Sequence, residues 1–257
     1  MRRFGRVRAA AGLLAGLSLA PVWLFMRPRT LRARARERRF FTRILRGFGV
    51  TLERQGADPA GPGTLYIANH MSWLDIPLLG VALDGDFVSR ADLHDWPILG
   101  RLARHRGTLF VARDQRRGAR DQADSLHARL SAGGSVILFP EGTTSDGRAV
   151  LPFRTSLFAA AAAARAVQPV AIVYRDRKGR RLDPAMLDRI AWHGEQPLPA
   201  NAASLAAHGL SAIVTLLPPL PPDGNRKLLA EQCRAAIFGA YEEMRDGPID
   251  PEDDRPV

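Results

Sequence analysis

Between residues 48 and 220 the chain alternates short apolar runs with longer stretches of helical spacing. The runs TLYIA (64–68), SVILF (135–139) and PVAIV (169–173) have no polar interruption. Unbroken apolar runs of this length suit strands covered on both faces. The pattern predicts strands at Gly49–Arg54, Thr64–Ala68, Asp86–Ser89, Thr108–Ala112, Ser135–Phe139, Pro169–Tyr174 and Ala212–Leu217. Helices are predicted around Ile76–Leu83, Pro97–Arg104, Gly118–Ala132, Leu157–Ala166 and Arg226–Arg245. The last but one of these contains the alanine run 159–164, which favours helix. Strands alternating with helices predict an α/β domain, with a largely parallel central sheet flanked by helices, over residues 48–245. The Pro- and acid-rich tail 246–257, DGPIDPEDDRPV, reads as disordered.

Residues 1–47 follow another pattern. Residues 9–26, AAAGLLAGLSLAPVWLFM, carry no charge. As a helix they would extend ~27 Å, close to the ~30 Å hydrocarbon core of a bilayer. A cleaved signal peptide and a buried core helix are the competing readings. Pro21 and the apolar residues up to Met26 disfavour the first, and arginines at both ends suit lipid headgroups better than a core, so residues 9–26 are predicted as a membrane anchor within an N-terminal segment 1–47. The denser cluster follows the segment and favours a cytoplasmic body at the cytoplasmic membrane. Residues 29–49 predict a second helix, with Leu31, Phe40, Phe41, Ile44, Leu45 and Phe48 on one side and arginines elsewhere. Such a helix suits an anionic membrane surface, or it packs on the body with a solvated outer face.

Charge sharpens this division. The 257 residues carry a net charge of +11, which by itself suggests nucleic acid. Residues 1–46 hold 13 Arg and a single acid, Glu37, whereas the remainder holds 24 basic and 25 acidic side chains. A near-neutral body argues against a nucleic-acid partner. The chain has one cysteine, Cys233, so it can form neither an internal disulfide nor a Cys-based metal centre.

Three segments at strand ends carry candidate chemistry. In Asn69-His70-Met71-Ser72-Trp73-Leu74-Asp75, the histidine leaves an apolar strand and an aspartate follows five residues later. A carboxylate accepting from Nδ1–H fixes the imidazole tautomer and leaves Nε2 as a base. The same residues also fit a locally bonded histidine and a helix N-cap. Phe139-Pro140-Glu141-Gly142-Thr143-Thr144-Ser145-Asp146-Gly147 leaves another apolar strand, and its small residues let backbone N–H groups approach a polar headgroup. Gly107-Thr108-Leu109-Phe110-Val111-Ala112-Arg113 ends in an arginine able to grip a phosphate. Serine-hydrolase elbows, P-loops and zinc-protease motifs are absent.

Taken in order, the three segments resemble the glycerolipid acyltransferase family, which includes the bacterial 1-acylglycerol-3-phosphate acyltransferases. Asn69, His70 and Asp75 match its first block, and Gly107, Phe110 and Arg113 its second. Phe139–Thr143 with Ser145 match the third, and Val167–Ile172 the fourth. The resemblance implies transfer of a fatty acyl group from acyl-CoA or acyl carrier protein to the hydroxyl of a lysolipid at a membrane surface. It implies His70 and Asp75 as catalytic. It also implies Asn69, Gly107, Phe110, Arg113, Glu141, Gly142, Thr143 and Thr144 as the substrate-binding set. No metal or redox cofactor is required. The main expectation for the acceptor is 1-acyl-sn-glycerol 3-phosphate. One departure qualifies it: the third block usually carries arginine where Thr144 stands. Thr144, the Val167–Gln168–Pro169–Val170 run and Ala191–Trp192–His193–Gly194 resemble the branch that acylates lyso-ornithine lipid, which is the alternative. An anionic-membrane-binding protein without catalysis would explain residues 1–46 but not the ordered blocks.

Overall fold

The structure, a computed structural model, describes residues 7, 9–12, 14, 30–90, 99–111, 116–194, 196–206, 209–222 and 224–246. Helix α1 (Leu31–Phe48) starts at Thr30, whose hydroxyl accepts the Ala33 N–H, and stops where Gly49 turns left-handed. Then follow β1 (Val50–Gly56), β2 (Thr64–Ala68), α2 (Asp75–Ala82), β3 (Asp86–Arg90), α3 (Leu99–Arg106), β4 (Leu109–Val111) and α4 (Arg116–Ser131). The second half contains β5 (Val136–Leu138), a 3₁₀ stretch (Thr155–Ala163), β6 (Ala166–Arg175), α5 (Pro184–Ile190), α6 (Leu198–Leu205), β7 (Leu210–Leu216) and α7 (Arg226–Asp246).

The seven strands form one sheet in the order β1-β7-β6-β2-β5-β3-β4. The sheet is largely parallel, as expected, but mixed: five of its six pairings are parallel, and the antiparallel β6–β7 pairing corrects the expectation at that one place. Strands β6, β2, β5, β3 and β4 run parallel, while β7 pairs antiparallel with β6 and parallel with β1. The connection from β6 to β7 supplies the reason. It holds α5 and α6, of 7 and 8 residues, neither of which was predicted. Its two ends meet as antiparallel neighbours, with Arg175 opposite Ser211 and Tyr174 opposite Ala212. The chain therefore re-enters the sheet from the end at which it left. The alanine-rich stretch is a second correction, since it forms a 3₁₀ helix instead of an α-helix. Its ends are held by Arg154 N–H on Pro140 O and Arg165 N–H on Gly63 O, both 2.9 Å.

Alternation along the central strands divides the core between the two sheet faces. Tyr66, Ala68, Val170, Ile172 and Tyr174 pack towards α1 and α2. Leu65, Ile67, Ala171 and Val173 pack towards α4, the 3₁₀ stretch and α7. On α1, Phe40, Phe41, Leu45 and Phe48 are buried and Ile44 is half-buried, whereas Leu31 is 87% exposed and leaves the expected apolar face. The predicted anchor 9–26 lies mostly outside the described residues. Where it is described, Ala9 is buried, and a Cβ on Gly12 would fall 2.3 Å from the Gly47 Cα, so this stretch meets α1 at close range. No helix among the described residues is long and apolar enough to cross a membrane. The tail beyond Asp246 lies outside the described residues.

Buried charges fasten α1 to the body. Glu37, 2% exposed, accepts from Arg106 and Arg34. Asp86, fully buried, accepts from Arg34 and, at 2.6 Å, from Arg129. Burial and the nearby Arg34 push the Arg106 guanidinium well below its ordinary range. Removing one partner from such a network strands a charge away from water, which costs more than the pair contributed. Glu37→Ala is therefore expected to lower unfolding free energy by about 3 kcal/mol, read from urea denaturation.

Candidate active site

Sheet register brings the first and third blocks together. Strands β2 and β5 are parallel neighbours with Ile67 opposite Leu138. Continuing that register three residues places His70 beside Glu141 at the C-terminal ends, where α/β sites gather. The contact is direct: the His70 backbone N–H donates to Glu141 Oε1 at 2.7 Å. Glu141 Oε2 accepts the Leu151 N–H at 3.0 Å, so both oxygens of this buried carboxylate brace backbone. Ser145 N–H closes the loop onto the His70 carbonyl at 2.8 Å.

His70 and Asp75 form a hydrogen-bonded pair. Nδ1 of His70 lies 2.8 Å from Asp75 Oδ2, with the His70 side chain 15% exposed and Asp75 fully buried. Asp75 opens α2, but the N-cap position belongs to Leu74, which makes no side-chain cap. The Asp75 carboxylate instead folds back over the preceding turn. Oδ2 also accepts Met71 N–H at 2.8 Å and Ser72 N–H at 2.9 Å. Oδ1 accepts the buried Tyr174 hydroxyl at 2.6 Å. The face of the imidazole stacks on Phe139, with centroids 4.0 Å apart. The imidazole is thus held at Nδ1 by Asp75 and on one face by Phe139, and Nε2 lies outside both contacts.

The other expected site residues separate into groups. Asn69 exchanges two hydrogen bonds with the Ile172 backbone, at 3.0 and 2.8 Å, and clasps β2 to β6 from a buried position. Thr143 is exposed and Gly142 half-buried. The Thr144 hydroxyl donates to the Trp192 carbonyl, and Trp192 N–H donates to the Met71 carbonyl at 2.8 Å. These bonds tie the segment 191–194 to both blocks. Gly107, with φ +86°, follows α3, and Phe110 sits on β4, two strands away from β5. Arg113 lies outside the described residues. No group of metal-binding side chains occurs among the described residues.

Tyr174 and Arg154 were missed as members of the site, and the stacking of Phe139, a residue of the third block, on the imidazole was not anticipated. Only for Tyr174 was there a usable signal, because strand alternation places it on the same face as Val170 and Ile172. Arg154 lies ten residues beyond Thr144, yet a Cβ on Gly142 would fall 2.7 Å from its Nε. Gly142 has φ +69°, so glycine serves there both for the turn and for the approach of this guanidinium. A cavity of about 350 Å³ borders Met71, Tyr174, Leu187 and Tyr241.

Comparison with known proteins identifies the family. A family model described as Acyltransferase matches residues 50–173. The chain is 36% identical over 210 residues to the lyso-ornithine lipid O-acyltransferase of Brucella abortus, covering 78% of each chain. The chain belongs to the glycerolipid acyltransferase family. It is also 36% identical over 140 residues to the 1-acyl-sn-glycerol-3-phosphate acyltransferase of Neisseria meningitidis, with 54% of this chain and 55% of that one covered. The fold matches the crystal structure of a 1-acyl-sn-glycerophosphate acyltransferase from Thermotoga maritima with a TM-score of 0.69. That match has 20% identity and covers 97% of this chain and 99% of the other.

In this acyltransferase, burial pushes the Glu141 carboxyl up to about 8, against the downward pull of the His70 and Leu151 N–H groups. The folded protein then holds this proton more tightly than the unfolded chain does. The corresponding stability is fully present below the ordinary carboxyl range and is lost as pH rises towards about 8. Glu141→Gln does not titrate, so its urea midpoint should fall less steeply than that of the native protein between about pH 4.5 and 8. Parallel slopes in that window would show that Glu141 does not titrate there.

Proposed function

We propose that this acyltransferase moves a fatty acyl group from a thioester to the hydroxyl of a lysolipid, with lyso-ornithine lipid as acceptor. The observation that carries the chemistry is the His70–Asp75 pair, with its buried carboxylate and locked imidazole. Nε2 of His70 takes the acceptor's hydroxyl proton as the oxygen attacks the thioester carbonyl. The tetrahedral intermediate collapses with loss of thiolate, which recovers the proton from His70. Asp75 supports the imidazolium between the two steps. Direct attack needs no acyl-enzyme, and the only cysteine, Cys233, is buried on the far face with its thiol pushed up to about 12. Acyl-CoA and acyl carrier protein are the candidate donors.

For the acceptor, the expectation of 1-acyl-sn-glycerol 3-phosphate gives way to the alternative. At equal identity the match to the lyso-ornithine enzyme extends over 210 residues and that to the glycerophosphate enzyme over 140. Thr144 supplies no cation where a phosphate acceptor would want a second one. Its hydroxyl is spent on the Trp192 carbonyl. The Arg154 guanidinium beside Gly142 suits the single carboxylate of an ornithine headgroup. An amphiphilic acceptor also requires a bilayer surface. Arg32, Arg36, Arg39, Arg43 and Arg46 recur every three or four residues along α1 and form one stripe facing an anionic leaflet.

The test offers purified protein both lysolipids with acyl-CoA and with acyl carrier protein donors. Lyso-ornithine lipid is expected to release thiol with the higher kcat/KM. Thr144→Arg should shift the ratio towards lysophosphatidic acid by about tenfold, roughly 1.4 kcal/mol. A native preference for lysophosphatidic acid would overturn the acceptor assignment and leave the acyl-transfer chemistry standing.

A further inference from the structure

We infer that Tyr174 is a positioning residue for acyl transfer, acting on His70 through Asp75. This inference rests on the catalytic reading of the His70–Asp75 pair. Its basis is geometric. Asp75 has two oxygens with unequal duties. Oδ2 already accepts from His70, Met71 and Ser72, and the two backbone N–H groups fix where that oxygen lies. They leave Oδ1 undetermined, on a fully buried residue where an unpartnered carboxylate oxygen is costly. The Tyr174 hydroxyl fills that role at 2.6 Å, from a side chain that is itself 4% exposed. A bond this short to a carboxylate is charge-assisted and strong.

The sequence distance between the partners makes the contact informative. Tyr174 and Asp75 are 99 residues apart and meet only because β6 lies beside β2 and α2 covers that face. Strand alternation alone would be satisfied by any large apolar side chain at 174, as it is at Val170 and Ile172. A phenol is needed only if its hydroxyl matters. Burial and the neighbouring Asp75 hold the Tyr174 phenol well above its ordinary range, so it remains a donor throughout the working pH range.

The chemical consequence has a definite sign. A donor on Oδ1 withdraws charge from the carboxylate and weakens its support of the imidazolium. Tyr174 thereby tempers the support that Asp75 gives to the imidazolium. Without the hydroxyl, the imidazolium becomes more favourable and the carboxylate freer to turn. The other ionisable groups around this cluster are Glu141 beside His70, Tyr241 and Arg245 on α7, and Arg148 and Arg181 at the cavity. Arg148 is paired with Asp146 and Asp188, and Arg181 and Arg245 with Asp246. Asp75 takes its bonds from His70, Met71, Ser72 and Tyr174 and not from these five groups, while the Glu141 carboxyl is raised chiefly by burial and further by the Asp75 charge. The imidazole therefore has to be followed directly as well as through the rate.

The experiment uses the full chain and the nearly isosteric Tyr174→Phe, with thermal unfolding as the control for folding. The kcat should fall about three- to tenfold with little change in KM. The acid limb of kcat/KM should move up by about half a pH unit. The His70 imidazole signal, followed by NMR without substrate, should titrate about half a unit higher as well. Leu187→Ala, which alters the same cavity without touching Asp75, should leave both midpoints in place. An unmoved imidazole midpoint in folded Tyr174→Phe overturns the inference, as does an equal shift in Leu187→Ala. Failure of the underlying catalytic reading has another signature. Folded His70→Ala would then remain active while the imidazole of Tyr174→Phe still shifted.

Discussion

His70→Ala is expected to lose turnover by about 10²–10⁴-fold while remaining folded. The size follows from what the side chain does and from what could replace it. Nε2 is the only ring nitrogen not committed to Asp75, and the imidazole is held in plane by Phe139 and in tautomer by Asp75. Glu141, the nearest other candidate base, has both oxygens engaged by backbone N–H groups. The fold should tolerate the change, because the backbone bonds that build the loop, His70 N–H on Glu141 and Ser145 N–H on the His70 carbonyl, do not involve the side chain. The measurement is thiol release from the thioester donor in the presence of lysolipid, alongside a thermal unfolding curve. Near-native turnover by a folded variant would remove His70 from the chemistry.

Asp75→Asn is expected to lose about 10²–10³-fold in kcat for a reason specific to this geometry. From the sequence alone, an amide at 75 threatens the imidazole tautomer. The structure points elsewhere. Met71 and Ser72 N–H groups converge on the Oδ2 position and will select the amide's carbonyl oxygen there. The amide NH₂ then faces Tyr174, whose hydroxyl can accept as well as donate. The tautomer survives and the negative charge does not. The loss is therefore electrostatic, with the imidazolium left unsupported as the hydroxyl proton transfers. Removal of an anion disfavours the imidazolium, so the acid limb of kcat/KM should move to lower pH. This is opposite to the shift expected for Tyr174→Phe. A variant with full kcat and an unmoved limb would show that the carboxylate charge plays no part.

Residues close together in the chain made the first block legible. His70 and Asp75 are five apart, across a strand end and one turn, so their pairing depends on little beyond local geometry. The apolar runs at 64–68, 135–139 and 169–173 were legible for a similar reason, since strands buried on both faces allow few polar positions. Arg154 and Tyr174 were not legible as site residues, because each reaches the site across the sheet or along a loop, and the same distance hid the stacking of Phe139 on His70. The resemblance suggested Glu141 as a headgroup ligand, and its placement inside the loop between two N–H groups depends on the neighbouring strand. Leu31 shows the same limit on a helix: the period gives a face, but only packing decides where the covered part of that face begins.

The sequence by itself determined the strands, the strand-end location of the candidate site, the His70–Asp75 pair and the family. These depend on periodicity and short-range spacing, which the chain carries wherever its other parts lie. Tertiary structure alone decided the direction of β7 and β1, the 3₁₀ form of the alanine run, the inward role of Glu141 and Asn69, and the Tyr174 hydroxyl on Asp75. Each depends on which distant segment arrives as a neighbour. That is settled by strand order and the requirement that buried polar atoms find partners.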